Sequence, residues 1–225
     1  MLMSDMLFIN WAVEPEIARR FVDPRLELDT VIGCDGNSMA FASAVCFRVE
    51  DVRSSVLPLP RLSFEQVNYR IYVKSEDVPS VFFLDMKVNS RMLTALTSFV
   101  RLPVSYEDIE IIAKQNGSGA VQYGFKSAGL RAEVAVGGES NTSYPTIEPA
   151  FITQRLVGYA GAGEGVYKIQ VDHPVLDAIA ARVDSVEAPG LVELGLLTDE
   201  QSARPHSSIY VRAASFGTSP PTRAW

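Results

Sequence analysis

The sequence predicts an α+β fold dominated by antiparallel sheet, curled into a barrel or cone, with three or four short helices. Three observations carry this. First, runs that alternate apolar and polar residues recur along the chain; Val67 to Lys74 is the clearest, with Val67, Tyr69, Ile71 and Val73 on one face and Asn68, Arg70, Tyr72 and Lys74 on the other. Second, the links between runs are short and turn-forming, such as Glu76-Asp77-Val78-Pro79, Asn116-Gly117-Ser118-Gly119 and Ser127-Ala128-Gly129, which implies hairpins. Third, the helical patterns are few and brief. A sheet of roughly eight to ten strands must hide its edges, and closure does so.

In chain order, Met6 to Trp11 reads as a strand. Glu14 to Phe21 reads as a short helix, with Pro15 at its first position and Asp23-Pro24 ending it. Leu26 to Ile32 alternates as a half-buried strand, and Gly33 to Asn37 is a turn. Met39 to Val49 is a longer strand whose small residues suit close approach by another layer. Leu57-Pro58-Leu59-Pro60 is a connector, because alternate prolines cannot donate ladder bonds. Val81 to Arg91 follows as a strand, with Phe83, Asp85, Lys87, Asn89 and Arg91 sharing a face. Ser90 caps a short buried helix that carries Leu93, Leu96, Phe99 and Val100 and stops at Pro103.

Glu107 to Lys114, Ala120 to Lys126 and Leu130 to Val136 form a meander, and Gly137 to Pro145 is a polar loop. Ile147 to Val157 reads as a helix, Tyr159 to Gly165 as a turn, and Gly165 to His173 as a strand with Tyr167, Ile169, Val171 and His173 on one face. Val175 to Val183 is helix-like. Leu191 to Leu197 is a short apolar segment without an assigned type, and Ser208 to Ser215 is the last strand. Residues 1–216 are read as a single domain and 217–225 as a frayed tail.

With 225 residues, 47% hydrophobic and 21% charged, the chain is an ordinary globular one. A formal charge of −7 argues against nucleic acid or an anionic membrane surface as partner, since both are polyanions. No apolar run reaches the roughly 18 residues a membrane helix needs, and the start has no basic leader, so a cytoplasmic location is expected. Cys34 and Cys46 are read as reduced thiols. With His173 and His206 they make no metal-ligand spacing, so neither metal nor cofactor is expected. Dimerisation through an apolar helix face is left open.

The chemistry-bearing constellation is Asn68, Arg70 and Tyr72, with Asn89 and Arg91 from the neighbouring run. Facing into a barrel, these residues would grip an anionic or carbonyl-bearing small molecule, because arginine binds a carboxylate through two parallel N–H bonds. The competing reading is a solvated outer face. His173 is the candidate proton carrier, against a structural histidine. Tyr106 and Tyr123 either line a pocket or belong to the core. Glu107, Asp108 and Glu110 read as a solvated face.

Several stretches in this order carry a resemblance. They are Leu7-Phe8-Ile9-Asn10-Trp11, Pro15, Leu26-Glu27-Leu28-Asp29 with Gly36, Asn68 to Val73, Ser90-Arg91 before a helix, Leu102-Pro103, Gln154-Arg155-Leu156, and a strand ending in His173-Pro174. Together they resemble the acetoacetate decarboxylase-like superfamily, and within it the uncharacterised bacterial DUF2071 (YqjF-like) branch. The resemblance implies a β-rich barrel or cone around a central cavity. It also implies a departure from decarboxylase chemistry. Where the decarboxylases carry a lysine pair after the break proline, one lysine forming a Schiff base, this chain has Val104 and Ser105. The nearest lysines, Lys87 and Lys114, do not match, and Arg70 stands where the decarboxylases use a glutamate. The expected function is therefore capture of a small anionic or carbonyl metabolite by Asn68, Arg70, Tyr72, Arg91 and Tyr106. The alternatives are non-covalent acid/base catalysis of lyase or isomerase type, with His173 or a tyrosine moving the proton, and a scaffold with a filled cavity.

Overall fold

The computed structural model describes residues 1–33, 36–52, 61–98, 102–115, 117, 120–137, 149–162 and 165–225. Cys34, the Leu57–Pro60 connector, Phe99, Val100 and most of the Gly137–Pro145 loop lie outside them.

The chain opens with β1 (Leu2–Val13) and α1 (Pro15–Arg19), then two short strands, β2 (Glu27–Leu28) and β3 (Val31–Ile32). Three long strands follow: β4 (Ser38–Val52), β5 (Leu62–Ser75) and β6 (Val78–Val88). Next come α2 (Arg91–Ser98), β7 (Val104–Tyr106) and the meander β8 (Glu110–Gln115), β9 (Val121–Lys126) and β10 (Arg131–Val136). After α3 (Pro149–Thr153), β11 (Val157–Ala162) and β12 (Gly165–Asp172) form a hairpin. The chain closes with β13 (Ile179–Glu187), α4 (Pro189–Glu193), α5 (Asp199–Ser202), β14 (Ser207–Ser215), β15 (Gly217–Thr218) and β16 (Thr222–Arg223). Among the described residues the strands join one sheet in the order β15-β12-β11-β6-β5-β4-β1-β14-β13-β10-β9-β8. Pairing is antiparallel except where β6 meets β11 and β7. No described helix is long and apolar enough to cross a membrane.

Both faces of the long strands are buried, which explains their near-continuous apolar sequence. One face of β1, β4 and β5 carries Leu7, Ile9, Trp11, Ala40, Ala42, Ala44, Cys46, Val67, Tyr69 and Ile71 into a large core shared with Tyr123 and Phe125 of the meander. The small residues of β4 lie there, fully buried. The other face carries Met6, Phe8, Phe41, Val45, Phe47, Val49 and Tyr72 into a second cluster.

Five expectations are corrected. Val175 to Val183 is not helical: from Ile179 it extends as β13, filling the gap between β10 and β14, so pairing on both sides overrides its helix-like spacing. Among the described residues of the helix expected over Ile147 to Val157, only α3 is helical, and the stretch from Tyr159 to Ala162, expected as part of a turn, belongs to β11. Helix α2 begins as predicted, with Leu93 N donating to Ser90 Oγ at 3.3 Å, but it is not buried; Met92 is 43% exposed and Leu93 and Leu96 are half-buried. The tail is docked rather than frayed. β15 and β16 pair with the outer edge of β12, and Trp225 stacks on Tyr159 with ring centres 5.5 Å apart.

Candidate functional site

A cavity of about 230 Å³ lies on the second-cluster side of the sheet. Its floor follows directly from strand register. On β5, Phe64, Gln66, Asn68 and Arg70 project to the same side at every second residue. Opposite them on β4 stand Val49, Phe47, Val45 and Ser43. On β1, Phe8 is opposite Val45 and Met3 opposite Val49. Leu176, Phe216 and the β12 face of Ile169 and Val171 complete the wall, with His173 just beyond β12.

Alternation in β6 does not survive intact. Tyr69 pairs with Asp85 while Arg70 pairs with Phe83, so Leu84 is an extra residue and the strand bulges. Phe83 and Met86 therefore both line the cavity, whereas Asp85 and Lys87 pair with each other outside it, 2.8 Å apart. This bulge, and the end of the strand at Val88, keep Asn89 and Arg91 from the Arg70 face. Asn89 Oδ1 accepts from Glu65 N at 2.7 Å, tying the strand ends together. Arg91 begins α2, exposed, with its guanidinium 4.5 Å from the Tyr106 ring centre. Tyr106 is itself 37% exposed, and its hydroxyl donates to Asp108. Arg91 and Tyr106 are thus paired with each other and do not line the cavity. Tyr123 is a core residue, fully buried edge-to-face against Tyr210. Glu107 is engaged rather than merely solvated, since its carboxylate accepts from Gly129 N at 3.0 Å.

Asn68, Arg70 and Tyr72 are brought together, and the outer-face reading of this row does not hold. Asn68 and Arg70 line the cavity, and Tyr72 is fully buried behind them. Arg70 Nη2 donates to Tyr72 Oη at 3.1 Å and to the Ile152 carbonyl at 2.9 Å. Tyr72 Oη lies 2.8 Å from Ser43 Oγ, Ser43 donates to Asn10 Oδ1, and Asn10 Nδ2 donates to Ser207 Oγ at 3.1 Å. Because the Ser43 proton is committed to Asn10, Tyr72 must donate to Ser43. The chain then runs in one direction, from Arg70 through three strands to Ser207. It holds Tyr72 Oη as an acceptor toward the guanidinium.

Arg70 also packs between the Phe8 and Tyr72 rings, 5.3 and 5.2 Å from their centres. Among the described residues it has no carboxylate partner, and its buried Nε has no hydrogen-bond partner at all. Two of its five N–H donors are committed; Nε and the Nη1 amino group are not.

Arg155, which sequence reasoning did not select, lines the same cavity in the opposite state. It is 5% exposed; its Nη1 meets Asp29 Oδ2 at 2.5 Å and its Nε donates to the Phe151 carbonyl at 2.6 Å. Asp29 Oδ1 also accepts from Lys74 at 3.0 Å. Burial pulls the Arg155 guanidinium below the usual arginine value, with Asp29 opposing the shift. One carboxylate thus serves Arg155 and Lys74, and among the described residues Arg70 is left without a matching carboxylate. In the sequence Arg155 and Asp29 each stand in a motif, Gln154-Arg155-Leu156 and Leu26-Glu27-Leu28-Asp29, but 126 positions separate the two partners.

His173 lines the cavity, half-buried, with its ring 4.7 Å from that of Phe216. Its Nδ1 is 2.7 Å from the Pro174 carbonyl. A carbonyl only accepts, so Nδ1 carries a proton, and in the neutral ring Nε2 is the free acceptor. Gly158 was also missed. A Cβ there would sit 2.4 Å from Phe83 Cε2, so glycine is what lets the Phe83 ring lie against β11. No lysine is among the described residues lining the cavity, and Val104 and Ser105 follow Pro103 on β7. Lys87 Nζ donates to Ser105 Oγ at 2.8 Å outside it.

Comparison with solved structures places this fold among the acetoacetate decarboxylase-like enzymes. The enduracididine biosynthesis enzyme MppR, complexed with the condensation product of pyruvate and imidazole 4-carboxaldehyde, superposes with a TM-score of 0.63 over 99% of this chain and 87% of its own, at 16% identity. Acetoacetate decarboxylase from Legionella pneumophila gives 0.60 over 100% and 87%, at 10% identity. An acetoacetate decarboxylase-like enzyme from Sphingomonas wittichii RW1 gives 0.59 over 99% and 91%, at 13%. In sequence, the uncharacterized protein YqjF of Bacillus subtilis (strain 168) is 30% identical over 123 residues, which is 53% of this chain and about half, 48%, of that protein. The family model for DUF2071, an uncharacterized conserved protein, matches residues 1–214, and the chain belongs to that family.

Proposed function

We propose that the protein captures a small anionic or carbonyl-bearing molecule in this cavity and holds it without a covalent bond. The observation that carries the reading is Arg70: a guanidinium at the cavity wall, positioned by Tyr72 and Ile152, with no carboxylate beside it among the described residues and with Nε unpartnered. Its Nη1 amino group is committed to no partner among the described residues, and a ligand oxygen there would gain a charge-assisted hydrogen bond. Asn68 supports the same row, while Tyr72 acts by orienting Arg70. The cavity lining contains no described lysine to form an imine, which favours binding over Schiff-base decarboxylation. MppR, of like fold, is known with pyruvate bound.

His173 supports a second reading, catalysis in the same cavity. Its free Nε2 could move a proton while Arg70 stabilises developing negative charge.

Thermal unfolding of the wild type and Arg70→Ala against carboxylates, ketoacids and neutral carbonyl compounds tests the first reading. A ligand at 100 times its Kd stabilises by about 2.7 kcal/mol. A wild-type shift that vanishes in Arg70→Ala is the expected result; equal shifts in both, or none in either, contradict it. Following any stabilising compound by proton NMR separates the two readings, because a binder leaves it intact.

A further inference from the structure

The cavity floor is polar at one end and apolar over the rest. From Arg70 to Phe64 there are six residue steps of extended strand, about 20 Å of track. Beside Arg70 stand Ser43 and the buried hydrogen-bond chain; beside Phe64 stand Val49 and Met3. Between the ends, the β4 and β1 side of the track is apolar throughout, and only Gln66 and Asn68 interrupt it on β5. Those two amides are joined to each other, Gln66 Nε2 donating to Asn68 Oδ1, so part of their polarity is already spent. The opposite wall is apolar as well, apart from Thr153, Arg155, His173 and Thr218. Several methionines line the space, and their unbranched thioethers conform to whatever apolar shape enters.

A short ketoacid would satisfy Arg70 and leave this track without a partner. We propose that the ligand is an elongated amphipathic carboxylate, a medium-chain fatty acid or similar monocarboxylate. Its head group would lie against the Nη1 amino group of Arg70, which is committed to no partner among the described residues, and its tail along β4 and β1 toward Val49 and Met3. This rests on the binding reading above and narrows it to a chemical class.

The test is calorimetric titration of the wild-type protein with acetate, butyrate, hexanoate, octanoate and decanoate below their micelle concentrations, beside pyruvate, acetoacetate and octanol. Affinity should rise about three- to fourfold per methylene through octanoate. Octanol, with the same tail and no charge, should bind at least about tenfold more weakly, the difference one charge-assisted contact makes. In Arg70→Met, which keeps the side-chain volume, octanoate should lose its advantage over octanol. Pyruvate or acetoacetate binding more tightly than octanoate would overturn the amphipathic class while leaving the anion site standing. No binding by any carboxylate, short or long, would overturn both. The chain-length series needs no variant, so a misfolded Arg70→Met cannot obscure the outcome.

Discussion

Arg155 and Arg70 hold their guanidinium groups at nearly the same distance from one ring, 5.1 and 5.2 Å from the centre of Tyr72. Their surroundings differ. Arg155 is buried, paired with Asp29 and bonded to the Phe151 carbonyl, so its charge is matched within the fold. Arg70 is half-buried and, among the described residues, is bonded only to neutral oxygens and has a buried Nε without a partner. The contrast separates an arginine that completes a structure from one that awaits a ligand. Type and location alone would not distinguish them, since both line the cavity.

The comparison can be broken most forcefully at Asp29. Asp29→Ala leaves the Arg155 charge buried and unpaired, which should cost about 3–5 kcal/mol in denaturant unfolding. A loss below about 1 kcal/mol would mean that Arg155 finds other compensation and is no more structural than Arg70. Next is Tyr72→Phe, which removes one of the two acceptors of Arg70 Nη2 and the donor that Ser43 Oγ accepts from. About 1–2 kcal/mol of stability should go, together with part of the ligand response, because Arg70 is no longer held. Arg70→Met sharpens the contrast: stability should change by only about 1 kcal/mol while ligand-induced stabilisation disappears. Gly158→Ala should alter stability less than ligand affinity, because the new methyl displaces the Phe83 ring, a mobile side-chain end, from its place in the cavity wall.

The smallest effect concerns acid. His206 is partly buried against Phe41, and burial holds its pKa below the ordinary 6.5. Its contribution to stability is therefore complete above the unfolded value and is lost as pH falls through the lower folded one. Unfolding between pH 7 and pH 5 should show that decline, and His206→Gln should flatten it.

Much of the architecture was legible because the β5 alternation is strict and its neighbours are joined by turn-forming links. The row Asn68, Arg70 and Tyr72 could be read from period two alone. Arg91 and Asn89 could not be excluded that way, since a single extra residue at Leu84 reverses which β6 side chains face the cavity, and nothing local announces it. Val175 to Val183 has helix-compatible spacing; only the vacancy between β10 and β14, a tertiary fact, makes it a strand. Asp29 and Arg155 were both visible in motifs, but their pairing spans the chain. The tail looked disordered by composition and is held by the open edge of β12 and the Tyr159 ring.

The most direct test of the central claim follows the arginine Nε–H resonances in a proton–nitrogen NMR spectrum, with the Arg70 signal identified by its loss in Arg70→Met. On adding octanoate, the Arg70 Nε–H signal should shift as the Nη1 group of the same guanidinium gains a charged acceptor, while that of Arg155, already bonded to the Phe151 carbonyl, stays in place. An unmoved Arg70 signal at a ligand concentration that stabilises the protein would contradict the account.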